Sequence, residues 1–536
     1  MPPIVLALSL LLAACAPPPK FSSDVTVVGA GIAGLAAALE AADNGANVIV
    51  VDINTVGGGH AVKAGGLAMV NTQLQRAKGI EDSPELATAE LLAWGEDADP
   101  HWVKAYAEDS GSEVYDWLTD FGVDFRVVLP TPESSVARFH FTRGTAVHVV
   151  LPMLSAALKH PRIQFLWHSA ADSLLVSDAG AVVGIGLTNL RGGARYQVLS
   201  KSVILATGGF QSNRQLVLQH WPQSRPAPDK LLTGSGAFAL GHGYALAAAA
   251  GGVLNKMEQQ VTFVNGIPNP RDESGESGLT IEQRGGMLIN QQGKRFVSET
   301  APAKEKELAV FAHAGSGHWL VFDSAAARKT IVRGALWLNP QTIQADILNN
   351  DAISLQAGSL DELATQTGLP ADALANSVSE FNQTARRPIA QAPYYAVRLH
   401  WLTRKSLGGP SISHQGAVMN ESNKPVPGLF AAGELTGVAG INGSFGGSGT
   451  FLGPSVYTGR IAGRSAAVHD AALPASFSDT ERLALDSDGY WHYKVSHEVI
   501  RERAIACDTC HQDTPMTGIG TNSDMLNRLP TCTQCH

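Results

Sequence analysis

Two copies of the motif Cys-x-x-Cys-His lie near the end of this 536-residue chain. Each places two thiols beside one imidazole, and the six residues are Cys507, Cys510, His511, Cys532, Cys535 and His536. A c-type haem uses two such thiols for its vinyl groups and the adjacent imidazole for its iron. A four-cysteine zinc ribbon would also fit the two pairs, but it leaves both histidines without a role. The motifs therefore favour two covalent c-type haems, with zinc as the alternative.

Each haem iron usually takes a second axial ligand. His492 and His497 precede the first motif, while Met516 and Met525 follow it. In so short a segment, the histidines are better explained as iron ligands than as surface residues. We therefore expect residues 490–536 to form a small di-haem segment, in which His492 and His497 are candidate ligands.

The opposite end of the chain carries the fifth cysteine. Residues 4–14, IVLALSLLLAA, form an apolar run too short to span a bilayer, and small residues directly precede Cys15. This arrangement resembles a bacterial lipoprotein signal. It predicts a signal peptide over residues 1–14, lipidation of Cys15, and export to the periplasmic side of a bacterial membrane, where the lipid anchors the protein. No Lys or Arg precedes the apolar run, so an ordinary signal peptide or a misplaced start codon is the alternative.

The charge balance narrows the class of partner. The chain has 39 Lys and Arg against 48 Asp and Glu, a formal net charge of −9, and no run of basic residues. Because binding to nucleic acid needs clustered cations, we expect no nucleic acid partner and a small-molecule substrate instead. Hydrophobic residues make up 44% of the chain, which is enough for two or three packed domains.

The elements between these two ends begin with a nucleotide-binding pattern. Residues 24–52 predict a strand of branched apolar residues, a glycine turn, an alanine-rich helix and a second strand that ends at Asp52. The glycines let the backbone approach a pyrophosphate at the helix N-terminus, and Asp52 can accept a hydrogen bond from a ribose hydroxyl. The complete pattern predicts a dinucleotide site whose turn residues are Gly29, Ala30, Gly31, Ala33 and Gly34.

Four further motifs indicate which dinucleotide is bound. They are GGGHAVKAGG (57–66), SVILATGGF (202–210), GKRFVSE (293–299) and GLFAAGELTG (428–437). In this order they resemble the flavin-contacting motifs of the fumarate reductase, succinate dehydrogenase and 3-ketosteroid dehydrogenase flavoprotein superfamily. The resemblance covers residues 24–463 and implies that the cofactor is FAD.

The resemblance also implies an α/β fold with a defined domain order. A Rossmann-like FAD-binding domain is expected over 24–240 and 380–470. It is interrupted by an inserted α+β capping domain at 241–379, with the substrate held between the cap and the flavin. A linker at 471–489 then leads to the small C-terminal haem c segment.

The same match implies a set of flavin-contacting residues, namely Gly58, Gly65, Gly66, Thr207, Gly208, Gly209, Gly433, Glu434 and Leu452. In succinate dehydrogenases a histidine before the double glycine carries FAD covalently. His60 lies one residue nearer Gly65 than that histidine would. We therefore expect non-covalent FAD, with His60 beside the cofactor in a backbone turn.

A flavoprotein joined to c-type haems resembles the exported flavocytochromes c. FAD exchanges two electrons with a substrate, whereas each haem carries one electron, so two haems suit a flavin that is reloaded in two steps. The redox partner implied by this resemblance is a cytochrome or a quinol-linked protein.

The expected substrate site departs from the family pattern. Fumarate reductases carry a proton-donating arginine eight positions after the arginine of KRF, and this chain has Ala303 there. Two histidines and an arginine that hold carboxylates in the family correspond to Phe263, Lys405 and Ser444. Because fewer cations are left to offset the burial of a dicarboxylate, we expect a substrate with less charge than fumarate.

Three residues remain as catalytic candidates by the same match. Lys405 takes the place of a histidine that faces the substrate, and its amine can exchange a proton. Gly449, in a stretch similar to ketosteroid dehydrogenases, would offer its N–H to an oxyanion. Arg284, with Thr280 nearby, keeps part of the carboxylate-binding set. Lys304 is expected on the exposed face of a charged helix.

These features predict an exported flavocytochrome c oxidoreductase that acts on a CH–CH or C=C bond beside a carbonyl, in a weakly charged substrate. Two alternatives remain. The first is a respiratory reductase of an unsaturated carboxylate, like fumarate reductase. The second is an electron-transfer subunit with a degenerate substrate pocket, which the alanine at position 303 favours.

Overall fold

The computed structural model describes residues 20–484, apart from 55–56, 145, 191, 314–316 and 336. The predicted signal peptide, the lipidation site at Cys15 and the haem segment with all its cysteine and histidine ligands lie outside the described residues. Among the described residues, no helix combines the length and the apolar run needed to cross a bilayer.

The predicted strand, turn, helix and strand at the start of the chain are confirmed. The first strand, Lys20–Val28, pairs in parallel with Val48–Val51, and Asp52 follows directly. Between them runs the first helix, Ile32–Asp43, in which every residue from position 32 to 42 is buried. Its small alanines allow this helix to lie close against both the sheet and a neighbouring helix.

A nine-stranded sheet, which we call the large sheet, is built around the first strand. From one edge to the other the strands are Phe477–Asp479, Ser169–Ser177, Val182–Asn189, Arg195–Leu205, Lys20–Val28, Val48–Val51 and Ile163–Leu166, with Pro425–Ala431 on Arg195–Leu205 and Ala417–Met419 beyond it. The strands at its centre pair in parallel, whereas the first four strands of this order pair antiparallel with one another, as does Ala417–Met419 with Pro425–Ala431. A doubly wound α/β arrangement of this kind places ligands at the carboxyl ends of its parallel strands.

An eight-stranded sheet, which we call the cap sheet, forms the second layer. Its order is Met287–Asn290, His318–Asp323, Tyr394–Ser406, Gln260–Pro268, Gly278–Glu282 and Ile331–Arg333, with Leu231–Thr233 and Ser354–Ala357 paired to the long central strand Tyr394–Ser406. The long strand and Leu231–Thr233 lie outside the range 241–379 predicted for the cap. The predicted domain boundaries stay predictions. The cap sheet nevertheless includes one strand before residue 241 and one strand after residue 379.

Smaller elements complete the fold. Two small sheets join Leu254–Asn255 to Gly409–Pro410, and Leu67–Ala68 and Val127–Leu129 to Phe139–Phe141. The remaining α-helices are Gln73–Ala77, Pro84–Gly95, Pro100–Asp109, Trp117–Asp120, Val147–Lys159, Arg214–Gln219, His242–Ala249, Ala303–His313, Ser324–Ala327, Pro340–Thr342, Leu360–Thr367, Ala371–Thr384 and Leu452–Ala467. Two 3₁₀ segments, Gly59–Lys63 and Gly433–Gly440, and two π-helical segments, Ser110–Asp116 and Ile343–Leu348, are also present.

The last helix, Leu452–Ala467, packs directly on the first. A Cβ added to Gly459 or Gly463 would lie 2.4 Å from a carbonyl oxygen of the first helix, at Ala33 and Ala37 respectively. Only residues without side chains allow the two backbones to approach so closely. The large sheet is therefore covered by two helices from opposite ends of the described chain, and the α/β fold class is confirmed.

Candidate active site

Three glycines shape the turn after the first strand. Gly29 has a φ of +107°, and a Cβ there would lie 2.5 Å from the carbonyl oxygen of Ala206. A Cβ on Gly34 would lie 1.8 Å from the carbonyl oxygen of Gly29. Gly31 differs, because a Cβ there would meet no atom within 4 Å. The first and third glycines let the chain pack on itself, whereas the second borders open space at the helix N-terminus, where a pyrophosphate binds in such folds.

Asp52 stabilises this turn through two hydrogen bonds. Its two carboxylate oxygens accept hydrogen bonds from the backbone amides of Ala30, at 2.6 Å, and Asn54, at 2.7 Å. Burial raises the pKa of Asp52 to about 6, although both hydrogen bonds oppose the shift. The carboxylate therefore holds the loop in place, and its predicted contact with a ribose stays a prediction.

The other predicted flavin motifs converge on the same turn. The amide of Gly58 donates to the carbonyl of Ala30 at 2.7 Å, and a Cβ on Gly433 would lie 2.6 Å from the Cβ of Ala33. Gly208, with a φ of +77°, has no atom within 4 Å of an added Cβ. The buried hydroxyl of Thr207 has no hydrogen-bond partner among the described residues. Open space along the glycines and an unpaired hydroxyl fit FAD at this position.

The remaining flavin candidates lie close to residues that are distant in the sequence. A Cβ on Gly209 would lie 2.4 Å from a carboxylate oxygen of Glu434, and one on Gly66 would lie 2.1 Å from the carbonyl of His140. Gly65 borders the ring of Phe141, and buried Leu452 begins the last helix. Motifs that are far apart in sequence are therefore neighbours in space, as a single extended cofactor requires.

The amine of Lys405 lies between a carboxylate and an imidazole. Its Nζ is 2.8 Å from Glu434 Oε2 and 3.0 Å from His60 Nδ1. Because a lysine ammonium only donates hydrogen bonds, His60 Nδ1 is the acceptor in this contact. The other oxygen of Glu434 accepts from the backbone amide of Ser406 at 3.2 Å. We call His60, Lys405 and Glu434 the flavin-side cluster, since two of the three lie in flavin motifs.

Aromatic side chains flank this cluster. The ring of Phe451 lies 5.9 Å from Lys405 Nζ, and the ring of Phe263 lies 4.9 Å from the guanidinium carbon of Arg404. Arg404 Nη1 also donates to the carbonyl of Gly234 at 2.8 Å. A guanidinium therefore lies against Phe263, the residue that the resemblance matches to a family histidine, and the sequence analysis did not identify Arg404 as a site residue.

Lys304 corrects one expectation. Ala303 is exposed at the start of the helix Ala303–His313, which we call the cap helix, but the side chain of Lys304 is only 17% exposed. Its Nζ donates to Glu96 Oε1 at 2.6 Å and to the carbonyl of Trp94 at 3.1 Å, and lies 4.1 Å from the ring centroid of Phe445. The prediction of a solvated lysine was wrong, because the charged helix packs its first turn against another part of the chain. We call Lys304, Glu96, Trp94 and Phe445 the cap-side cluster.

Ser444, which the resemblance matches to a family arginine, joins a separate polar network. Its Oγ donates to Asp97 Oδ1 at 2.8 Å, while Gln259 and Lys256 donate to Asp97 Oδ2 at 2.6 and 2.8 Å. Burial alone would raise the pKa of Asp97, but the hydrogen bonds from Lys256, Gln259 and Ser444 lower it to about 2. The ionised carboxylate is paired with Lys256, so this network holds no unmatched cation for a substrate carboxylate.

Two other catalytic candidates occupy different surroundings. Gly449 has a φ of +81°, its carbonyl accepts from the amide of Ala68, and its own N–H has no hydrogen-bond partner among the described residues. Arg284 is exposed just after the strand Gly278–Glu282, and within the described ranges no hydrogen bond or ion pair joins it to the flavin-side cluster. The predicted roles of Gly449 and Arg284 therefore both stay predictions.

Comparisons with known proteins agree with this geometry. The family described as "FAD binding domain" matches residues 24–452. A fumarate reductase (cytochrome) of Shewanella frigidimarina is 31% identical over 474 residues, covering 85% of this chain and 79% of that protein.

Two solved structures share the fold. The open conformation of a flavocytochrome c3 fumarate reductase superposes with a TM-score of 0.68 at 27% identity, over 86% of this chain and 80% of the other. The 3-ketosteroid-Δ4-(5α)-dehydrogenase of Rhodococcus jostii RHA1, in complex with 4-androstene-3,17-dione, gives a TM-score of 0.64 at 27% identity, over 85% and 99%. The chain therefore belongs to the FAD binding domain family, within the superfamily of FAD-dependent fumarate reductases, succinate dehydrogenases and ketosteroid dehydrogenases, and is an FAD-dependent oxidoreductase acting on CH–CH bonds.

Proposed function

We propose that the protein reduces or oxidises a carbon–carbon bond next to a carbonyl group, in a substrate with little charge, and that Lys405 is its proton-exchanging residue. The observation that carries this proposal is the flavin-side cluster. It holds one amine, by two hydrogen bonds of 2.8 and 3.0 Å, beside the residues that fit the flavin.

The chemistry needs a hydride and a proton on neighbouring carbons. FAD, when bound, accepts or donates the hydride. The chain must therefore supply or take up the proton, and alanine at position 303 cannot do so. Glu434 and His60 occupy two of the three N–H directions of Lys405, which leaves the third for the substrate. The unpaired N–H of Gly449 would stabilise negative charge on the carbonyl oxygen.

The surroundings favour few charges on the substrate. Phe263 and Ser444 replace cationic family residues, and Asp97 accepts a hydrogen bond from Ser444. The two solved structures named above are a reductase of a dicarboxylate and a dehydrogenase in complex with a neutral diketone. The loss of two cations supports a substrate closer in charge to the ketone than to fumarate.

We also propose that residues 490–536 carry two c-type haems, which relay electrons between the flavin and a cytochrome or quinol-linked partner. Support comes from the two Cys-x-x-Cys-His motifs and from the similarity to a cytochrome-type fumarate reductase. Export and a lipid anchor at Cys15 are part of the same proposal. A pyridine haemochrome assay should find two covalent haems per chain, and stoichiometric zinc instead would exclude them. Cys15→Ser should release the protein from the membrane fraction.

Turnover of a substrate panel tests the main proposal. Enones, enoates and fumarate would be offered with a reduced dye as electron donor, and the saturated compounds with an oxidised dye. We expect turnover of at least one weakly charged compound and little with fumarate. Fumarate as the best substrate would favour the respiratory reductase of an unsaturated carboxylate, which the Shewanella relative supports. A lack of turnover in every case, with intact electron transfer between flavin and haem, would favour the electron-transfer subunit.

A further inference from the structure

Arg404 is the penultimate basic residue of the long central strand Tyr394–Ser406 and immediately precedes Lys405. It is half-buried, and its single hydrogen bond among the described residues runs from Nη1 to the carbonyl of Gly234. A guanidinium has five N–H donors in a planar fork. Most of the hydrogen-bonding capacity of this side chain is therefore unused by the described protein.

No carboxylate forms an ion pair with Arg404 within the described part of the chain. Glu434 acts electrostatically on Arg404, but it already accepts hydrogen bonds from Lys405 and from the amide of Ser406. Burial lowers the pKa of Arg404, and Glu434 opposes this only in part. A half-buried cation without its own counter-ion is costly unless a ligand supplies the missing charge.

The charged groups around the site are mostly matched. Lys405 is paired with Glu434, Lys304 with Glu96, and Lys256 with Asp97. Glu133 adds a carboxylate, which accepts a hydrogen bond from the amide of Ser448. Among the cations named here, and within the described part of the chain, the guanidinium of Arg404 is the one without a carboxylate partner. A planar guanidinium fork matches the two oxygens of one carboxylate, so Arg404 suits a ligand group with a single negative charge.

The shape of the surroundings indicates what accompanies that charge. The guanidinium lies over the ring of Phe263, and Phe451 flanks the neighbouring Lys405. The side chain of Val261 approaches Gly446, which also borders Phe451. One cationic fork therefore stands at the end of an apolar, largely aromatic wall.

We propose that Arg404 binds the single carboxylate of the substrate, so that the enzyme acts on an apolar monocarboxylate whose CH–CH or C=C bond is next to that carboxylate. This inference rests on the proposed function and makes its substrate class specific. It assigns the carboxylate to a residue on the strand beside Lys405, and not to positions 263 and 444, where this chain has lost the cations.

Ligand binding to the full-length holoprotein tests this assignment. The probes are trans-cinnamate and its uncharged methyl ester, each titrated while the visible spectrum of the bound flavin is recorded. Wild type should bind cinnamate more tightly than the ester. Arg404→Leu should weaken cinnamate binding about 10- to 100-fold, the effect of losing a charge-assisted hydrogen bond, and leave ester binding unchanged. Arg404→Lys, which keeps the charge but not the fork, should fall between the two.

The matched control is Arg398→Leu, because Arg398 lies on the same strand but is exposed. It should leave both affinities unchanged. The proposal is overturned if wild type does not bind cinnamate, if Arg404→Leu weakens both probes equally, or if it changes the flavin midpoint potential while cinnamate affinity stays the same. Selective cinnamate binding that depends on Arg404, without turnover of any compound, would instead refute the proposed activity and keep the carboxylate site.

Discussion

The flavin-side and cap-side clusters each contain one lysine paired with one glutamate. The side chain of Lys405 is 16% exposed and that of Lys304 is 17% exposed, and their ion-pair distances are 2.8 and 2.6 Å. By burial and pairing alone the two lysines cannot be told apart. They differ in what else they contact.

Lys405 reaches an imidazole and a carboxylate from flavin motifs, whereas Lys304 reaches a backbone carbonyl and two aromatic rings. In the first environment two N–H groups of the amine have partners, and the third has no hydrogen-bond partner among the described residues. The second fastens the cap helix to the helix Pro84–Gly95 and the residues after it. Two lysines with equal burial and equal pairing can therefore differ in chemical role, because the groups around their amines differ.

The largest effect is expected for Lys405→Met. Turnover should fall by about 10²- to 10⁴-fold, the usual contribution of a general acid or base. Because the change also leaves Glu434 without its cation, FAD content must be measured, and the double variant Lys405→Met with Glu434→Gln should retain FAD without regaining turnover.

Lys104→Met is the control for this variant, since that lysine is exposed and pairs with Glu108 on its own helix. It should behave like wild type. Near-normal turnover in Lys405→Met would place the proton source elsewhere and remove the difference between the two clusters.

The next effect concerns the free energy of unfolding and involves Glu307, which lies one turn after Lys304 in the cap helix. Burial raises the pKa of Glu307 from 4.5 to about 7, although Arg225 and Thr262 oppose the shift. The folded protein therefore holds this proton more tightly than the unfolded chain. The stability contributed by Glu307 is fully present below pH 4.5 and is lost as the pH rises to about 7, a change of about 3 kcal/mol.

Urea unfolding followed at several pH values between 4.5 and 7.5 measures this contribution. In Glu307→Gln the free energy of unfolding should decrease less as the pH rises, and the difference from wild type should be about 3 kcal/mol. Glu305→Gln, on the exposed face of the same helix, should keep the wild-type pH dependence. If Glu307→Gln keeps the wild-type dependence of the unfolding free energy on pH, the carboxyl group of Glu307 does not titrate in this range.

The smallest effect is expected for Lys304→Met. A half-exposed ion pair and a cation–π contact together contribute about 1–2 kcal/mol, so KM should rise about 3- to 10-fold while kcat stays close to wild type. Glu96→Gln should act in the same direction, and the double variant should be little worse than either single one. A fall in kcat as large as that of Lys405→Met would instead identify the cap-side amine as the proton donor.

Structural features that are determined by residues close together in the sequence were predictable. The glycine turn and its two strands follow from local hydrophobic pattern and from the backbone freedom of Gly29, so their positions are confirmed to within a few residues. The flavin motifs were identified by resemblance, and the matched family supports them as a set.

Contacts between distant residues were not predictable in the same way. His60 and Lys405 are 345 positions apart, and no local pattern indicates that their nitrogens lie 3.0 Å from each other. Lys304 was misjudged because alternating charges usually mark an exposed face, whereas here the first turn of the helix packs on Trp94 and Phe445. The adjacent basic residues Arg404 and Lys405, near the end of the long central strand, were the one visible sign in the sequence of the proposed carboxylate site.

Because the first helix packs against the last, the ribosome must release residues 44–451 before the first helix meets its partner. Contacts between such distant segments form slowly, and until then the alanine-rich face of the nascent helix has nothing to pack on. The domain therefore completes its core only after the segment Leu452–Ala467 has been synthesised.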